Sequence, residues 1–171
     1  SRFELRNPAD WQDTVWAELR DAAATLAGDG LHDIVVAGAM RLPMWFAAGC
    51  ALRGVEGFHV STNRLGREWT SREIGAKPDL DVKVIEIGDG DDPRLAVVLS
   101  IAADAAEAGL VHARSTGVGR AVLVAPDTGP SGGAVTDAPS GAAMAEAIRN
   151  TVRDHLAPDT TEVHLYLAAP A

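Results

Sequence analysis

What most constrains this chain is a recurring pattern. Short β-branched and aliphatic runs end at turn-forming residues and alternate with segments of helical spacing. Asp33-Ile-Val-Val-Ala-Gly38 is the first such run and has the form of a buried parallel strand. Further runs occupy residues 57–62, 82–87, 95–101, 120–125 and 162–168. Residues 9–27 place Trp11, Val15, Trp16, Leu19, Ala23 and Leu26 at helical intervals behind Asp10 as a cap, and Gly28 and Gly30 stop them. Pro43 stands where a helix over 44–53 would begin, and Gly54 closes it. Residues 102–113 are Ala-rich and helical, and residues 139–156 form a helix with Ser140 or Asp137 near its cap.

Strands alternating with helices predict an α/β fold with mainly parallel strands and helices on both faces. Residues 63–80 are polar, show no strong period, and read as a long loop or excursion carrying Trp69. Gly88-Asp-Gly-Asp-Asp-Pro93 is the clearest turn, and it reads as a seam between two halves, about 9–90 and 94–171, of one domain over 1–171. The order of elements restarts after that turn without any repeat in sequence.

Composition removes several function classes. The net charge of −9 argues against coating duplex DNA, which requires many phosphates to be neutralised. The longest apolar runs, 95–99 and 121–125, fall far short of the roughly 20 residues that span a bilayer, so no membrane partner is expected. The first eight residues, Ser-Arg-Phe-Glu-Leu-Arg-Asn-Pro, lack the apolar core of a signal peptide. The single cysteine, Cys50, cannot form an internal disulfide and fits a reducing, cytoplasmic compartment. Charge is uneven, however. Residues 61–78 hold Arg64, Arg67, Arg72 and Lys77 against Glu68 and Glu73, so a small anion would be drawn to that segment.

The familiar catalytic patterns do not hold. Gly129-Pro-Ser131-Gly-Gly133 matches G-x-S-x-G, but a nucleophile elbow needs a strand running straight into the serine and a helix straight out. Here the strand ends several residues earlier, the helix starts near Pro139, and Pro130 removes an N–H at the turn. His155 and His164 fall late in a helix and within a strand, so a flexible Gly/Pro loop is the better reading. No G-x-G-x-x-G follows the first strand, and there is no P-loop. The histidines (His32, His59, His112, His155, His164) lack ligand spacing, and the turn Asp89-Gly-Asp91-Asp92 lacks the EF-hand register. No metal, cofactor or catalytic set is expected.

In folds of this kind ligands meet the carboxyl ends of the strands. Those ends are 38–43, 61–72, 100–104, 126–133 and 168–170. Arg41 follows the first strand, where a guanidinium could fork onto a phosphate; a surface ion pair is the plain alternative. Trp69, between Arg67 and Arg72, offers a face on which a base could stack, against the plain alternative of a loop anchor.

Glu162-Val-His164-Leu-Tyr-Leu-Ala-Ala-Pro170 resembles the strand-to-loop signature near the end of SAVED domains. Val36-Ala-Gly38 with Arg41-Leu-Pro43 and then Gly49 resembles their first strand and helix, and residues 95–100 and 120–125 fit their second half. The resemblance covers roughly residues 30–171. It implies two fused CARF-like, Rossmann-like halves that bind a cyclic oligonucleotide second messenger in antiphage systems such as CBASS and type III CRISPR. It also implies an effector domain or partner protein that the ligand activates, with ligand-induced homo-oligomers as a further expectation, and a sensor rather than an enzyme.

Carried onto this chain, the implied ligand contacts are Arg41, Leu42, Pro43, Ser61, Arg67, Trp69, Arg72, Ser100, Pro126, Ser131, Ala169 and Pro170. Members usually continue past the Ala-Pro turn, which implies a C-terminal end cut short at Ala171. Two other readings stand beside the sensor. One is a CARF-like ring nuclease using Ser61, Ser100 or Ser131 to assist a ribose 2′-hydroxyl. The other is a protein-interaction domain with no ligand.

Overall fold

The computed structural model describes residues 9–38, 42–64, 66–72, 74–88 and 92–168, with Leu42 and Arg64 described by their backbone alone. The chain forms two compact units that divide between Arg72 and Glu73. It is mixed α/β, with a three-stranded sheet in the first unit and a four-stranded sheet in the second. Among the described residues no helix is long and apolar enough to cross a membrane.

In the first unit a π-helical turn, Trp11–Trp16, leads into α1 (Ala17–Gly28). β1 is Asp33–Val35, α2 is Leu42–Ala51, β2 is His59–Arg64 and β3 is Arg67–Thr70. β1 pairs parallel with β2, as a strand–helix–strand crossover requires, and β2 pairs antiparallel with β3. Ala23, Ala51 and Phe58 form the buried centre, with Trp16, Leu19, Leu26, Ile34 and Leu52 packed around it. Of the hydrophobic stripe read over 9–27, Trp16, Leu19, Ala23 and Leu26 face this centre.

β3 corrects the reading of 63–80 as a loop. Asn63 Oδ1 accepts from the Gly66 amide at 3.1 Å, and Gly66 adopts φ +77°, a conformation that favours glycine. That turn folds Arg67-Glu-Trp-Thr70 back onto β2.

In the second unit β4 is Leu80–Glu86, β5 is Arg94–Ser100, α3 is Ala106–Ser115, β6 is Arg120–Pro126, α4 is Ala138–Asp154 and β7 is Glu162–Ala168. The strand order is β4-β6-β5-β7, with β5 parallel to both neighbours and β4 antiparallel to β6. Alternate residues of β5 serve opposite faces. Leu95, Val97 and Leu99 join Val122, Val124 and Met144 in a core on the α4 side. Ala96 joins Ala113, Val118 and Ala121 on the α3 side. A Cβ on Gly109 of α3 would lie 2.8 Å from Val98 Cγ1, so only glycine lets the helix approach β5 this closely.

The division of the chain differs from the expected seam at 88–93, of which residues 89–91 lie outside the described residues. The strand expected at 82–87 to close the first half pairs along its whole length with β6, so the second unit begins before it. A strand with polar residues on one face carries no label for its partner, and its position in the chain suggested the wrong one.

Candidate functional site

In the first unit the candidate residues sit on the hairpin and at the start of α2. Arg41 lies outside the described residues, Leu42 opens α2, and Pro43 is exposed in its first turn. Strand alternation separates the others. Thr62 stands opposite Trp69, so Trp69 and Arg67 share the face that carries Val60 and Ile34. Ser61 stands opposite Thr70 and Val35, on the other face. Arg72 belongs with Ser61, because its Nη2 donates to Asp33 Oδ1 and forms an ion pair. A single cluster of Ser61, Arg67, Trp69 and Arg72 is therefore not what the hairpin builds. It presents Arg67 beside a half-buried Trp69 on one face, and Ser61 with the Asp33–Arg72 pair on the other.

In the second unit the carboxyl ends of the strands converge as the sequence suggests. The Ser131 amide donates to Ile101 O at 2.9 Å, which draws the 126–133 loop over the end of β5. The Ile101 and Ala102 amides donate to Ala168 O at 2.9 and 2.8 Å, tying the end of β7 to the same place. Ala169 and Pro170 lie outside the described residues. Pro126 is the buried last residue of β6. Ser100, Pro126 and Ser131 are thus brought together, although Ser131 follows a turn and not a strand end.

Ser100 serves the turn itself. It is 5 % exposed, and its Oγ accepts from the Ala105 amide at 2.9 Å. Asp104 Oδ1 accepts from the Ala106 amide at 2.8 Å. Free amides at a helix start commonly hold phosphate, and here these two at the start of α3 already have partners within the chain.

Beside this turn is an open cleft of about 230 Å³ lined by Asp81, Lys83, Ser100, Asp104, Pro126 and Asp127 among others. That is below the roughly 300–1,000 Å³ of pockets that hold drug-sized ligands, so this cleft has room for part of such a molecule. Lys83 Nζ lies 2.8 Å from Asp81 Oδ2. The hydrogen bond to that carboxylate, reinforced by its charge, raises the lysine above its ordinary pKa and holds it cationic.

Asp81 and Lys83 escaped the sequence reading because they belong to a strand edge and not to a strand end. The usable signal was the polar alternation Leu-Asp-Val-Lys over 80–83, which places both on one face. His155 caps the end of α4 and His164 stands opposite Ala96 within the sheet, so neither joins Ser131 in a hydrolase arrangement.

Solved structures similar to this chain are receptors. One is the Acinetobacter baumannii Cap4 SAVED/CARF-domain containing receptor with the cyclic trinucleotide 2′3′3′-cAAA, at TM-score 0.75 and 12% identity over 96% of this chain and 37% of that one. The same receptor with 3′3′3′-cAAA gives 0.74 at 13% identity, again over 96% and 37%. A third Cap4 structure gives 0.64 at 13% identity, over 96% and 36%. Identities this low speak to the fold, and this chain spans little more than a third of those receptors. No curated protein matches the sequence. The family model described as "SMODS-associated and fused to various effectors sensor domain" matches residues 18–171, nearly the whole chain, and the chain therefore belongs to the SAVED family.

Proposed function

We propose that the chain is the sensor of a bacterial antiphage system of the CBASS type, acting in the cytoplasm, where it binds a cyclic oligonucleotide and passes the event to an associated effector. The observation that carries this reading is the match to the SAVED sensor model over residues 18–171. The similar Cap4 receptors, two of them holding cyclic trinucleotides, support it.

On this reading Arg41, Leu42, Pro43, Ser61, Arg67, Trp69 and Arg72 are the ligand contacts of the first unit. Pro126, Ser131, Ala169 and Pro170 are those of the second, with Ser100 acting through the turn it holds. The CARF-like character of two related halves, and ligand-driven assembly of copies, are parts of the same proposal. Its role is binding; the effector's chemistry belongs to another segment or a partner.

Isothermal titration calorimetry against cyclic di-, tri- and tetranucleotides tests it. Saturable binding of at least one ring is expected, and no heat with any ring overturns the reading. Chromatography of the bound ring after long incubation is expected to return it intact. Linear products would make the domain a ring nuclease instead.

A further inference from the structure

We propose that the cleft of the second unit seats one base of the cyclic oligonucleotide, and that it selects guanine through Asp127 and Lys83. This rests on the sensor reading, and it says which part of the ligand the cleft takes.

Every residue that lines the cleft belongs to the second unit. Asp81 and Lys83 of β4 stand opposite Ala125 and Leu123 of β6, so the four share one face of the sheet. Leu123 and Ala125, both half-buried, give that face an apolar floor. Asp104, from the turn before α3, and Asp127, just past the end of β6, add carboxylates to the lining.

A cyclic oligonucleotide can offer such a cleft a phosphate, a ribose or a base. Carboxylates outnumber the single ammonium, so the lining repels a phosphate. The Ala105 and Ala106 amides, which might have offset that charge, are engaged within the turn. A ribose has no flat apolar face to lay on Leu123 and Ala125. A base has one, and its edge carries N–H groups that carboxylates accept. About 230 Å³ is room for one such group and not for a whole ring.

The polar lining then decides between bases. Asp81 is paired with Lys83 at 2.8 Å, and Asp104 Oδ1 accepts from the Ala106 amide at 2.8 Å. Asp127 is exposed, and its carboxylate has no hydrogen bond or ion pair among the described residues. It is therefore the carboxylate open to a ligand. Two acceptors side by side are matched by two adjacent donors. Among the common bases only guanine has such a pair, N1–H and N2–H, with the acceptor O6 next along the same edge. Lys83 keeps donors beyond the one that Asp81 takes, and one of them can serve O6. Adenine would turn the lone pair of its N1 toward the carboxylate, which repels it.

Titration calorimetry of the natural chain tests this with 3′3′-linked di- and trinucleotide rings of three kinds: all adenine, one guanine among adenines, and inosine in place of that guanine. The guanine ring is expected to bind at least about tenfold more tightly than the all-adenine ring of the same size. Inosine keeps N1–H and O6 but lacks the N2 amino group, and is expected to bind at least about threefold more weakly than guanine. Asp127→Asn turns one acceptor into a donor. It is expected to weaken the guanine ring at least about tenfold and the all-adenine ring less than about twofold.

The inosine comparison needs no variant, so it decides the matter if Asp127→Asn does not fold. The guanine seat is overturned, with the sensor reading left standing, if the all-adenine or the inosine ring binds as tightly as the guanine ring. It is overturned in the same way if folded Asp127→Asn binds the guanine ring as the natural chain does. If no ring of the wider di-, tri- and tetranucleotide panel gives heat, both readings fall.

Discussion

The two units solve the same problem with different materials. Every tryptophan and phenylalanine of the chain lies in the first, which plugs a small centre with Phe58 against Ala23 and Ala51. The second has Tyr166 as its single aromatic beside histidine, and interleaves Val, Leu and Ala on both faces of seven-residue strands. The first sheet rests on a three-residue β1 whose Val35 is 73 % exposed, whereas β5 of the second is buried from Leu95 onward. An aromatic plug concentrates stability in one side chain. An aliphatic weave distributes it and can carry loops on its strand ends.

If that contrast is right, Phe58→Ala is the most damaging substitution considered, at about 3–5 kcal/mol. The tryptophan-detected urea midpoint should fall well below the midpoint read by far-UV circular dichroism. Equal falls would mean that the two cores do not differ in the way described.

Trp69→Ala should weaken ring binding by about 1–3 kcal/mol if the indole stacks on a base, as titration calorimetry would read. An unchanged affinity would assign the ring to the fold of the hairpin alone.

Gly109→Ala probes the weave. Overpacking against Val98, a short branched side chain that is 0 % exposed, costs about 1–3 kcal/mol. Better helix propensity returns about 1 kcal/mol. A net loss of up to about 2 kcal/mol is therefore expected in thermal melts, and a gain would show that α3 can slide on the sheet.

The smallest effect is expected from Asp92, which accepts from the Arg94 side chain at 2.6 and 2.9 Å and from its amide at 2.8 Å. Arg94 in turn donates to Thr116 O and Gly117 O beyond the end of α3. The hydrogen bonds from Arg94 hold the Asp92 carboxyl down at about 2, below its ordinary 3.8. A depressed carboxylate stabilises the fold above its unfolded pKa, and that contribution is lost as pH falls through the folded value. Melts of the natural chain should therefore decline between about pH 4 and pH 2. In Asp92→Asn that part of the decline should be missing.

The weave was more legible than the plug, for a physical reason. A strand buried on both faces must be apolar at every position, so residues 95–101 and 120–125 announced themselves within a residue or two of β5 and β6. β3 did not, because Arg67-Glu-Trp-Thr70 is a half-exposed hairpin strand whose evidence was the Asn63–Gly66 turn before it. Strand ends suggested a common location for Ser100, Pro126 and Ser131, and the Ser131–Ile101 hydrogen bond draws the loop after β6 to the end of β5. They could not show that alternation along the hairpin sends Ser61 and Trp69 to opposite faces, because that depends on register.

β5 has a consequence in time as well as in space. It lies between β6 and β7, with a helix over each face, so its amides cannot reach water by any local opening of the unit. Hydrogen exchange at Val97 and Val98 should proceed only when the whole second unit unfolds, while amides of the loop at its carboxyl end exchange through small, frequent openings. The residues that would meet a ligand therefore move on a clock that the strand beneath them does not share.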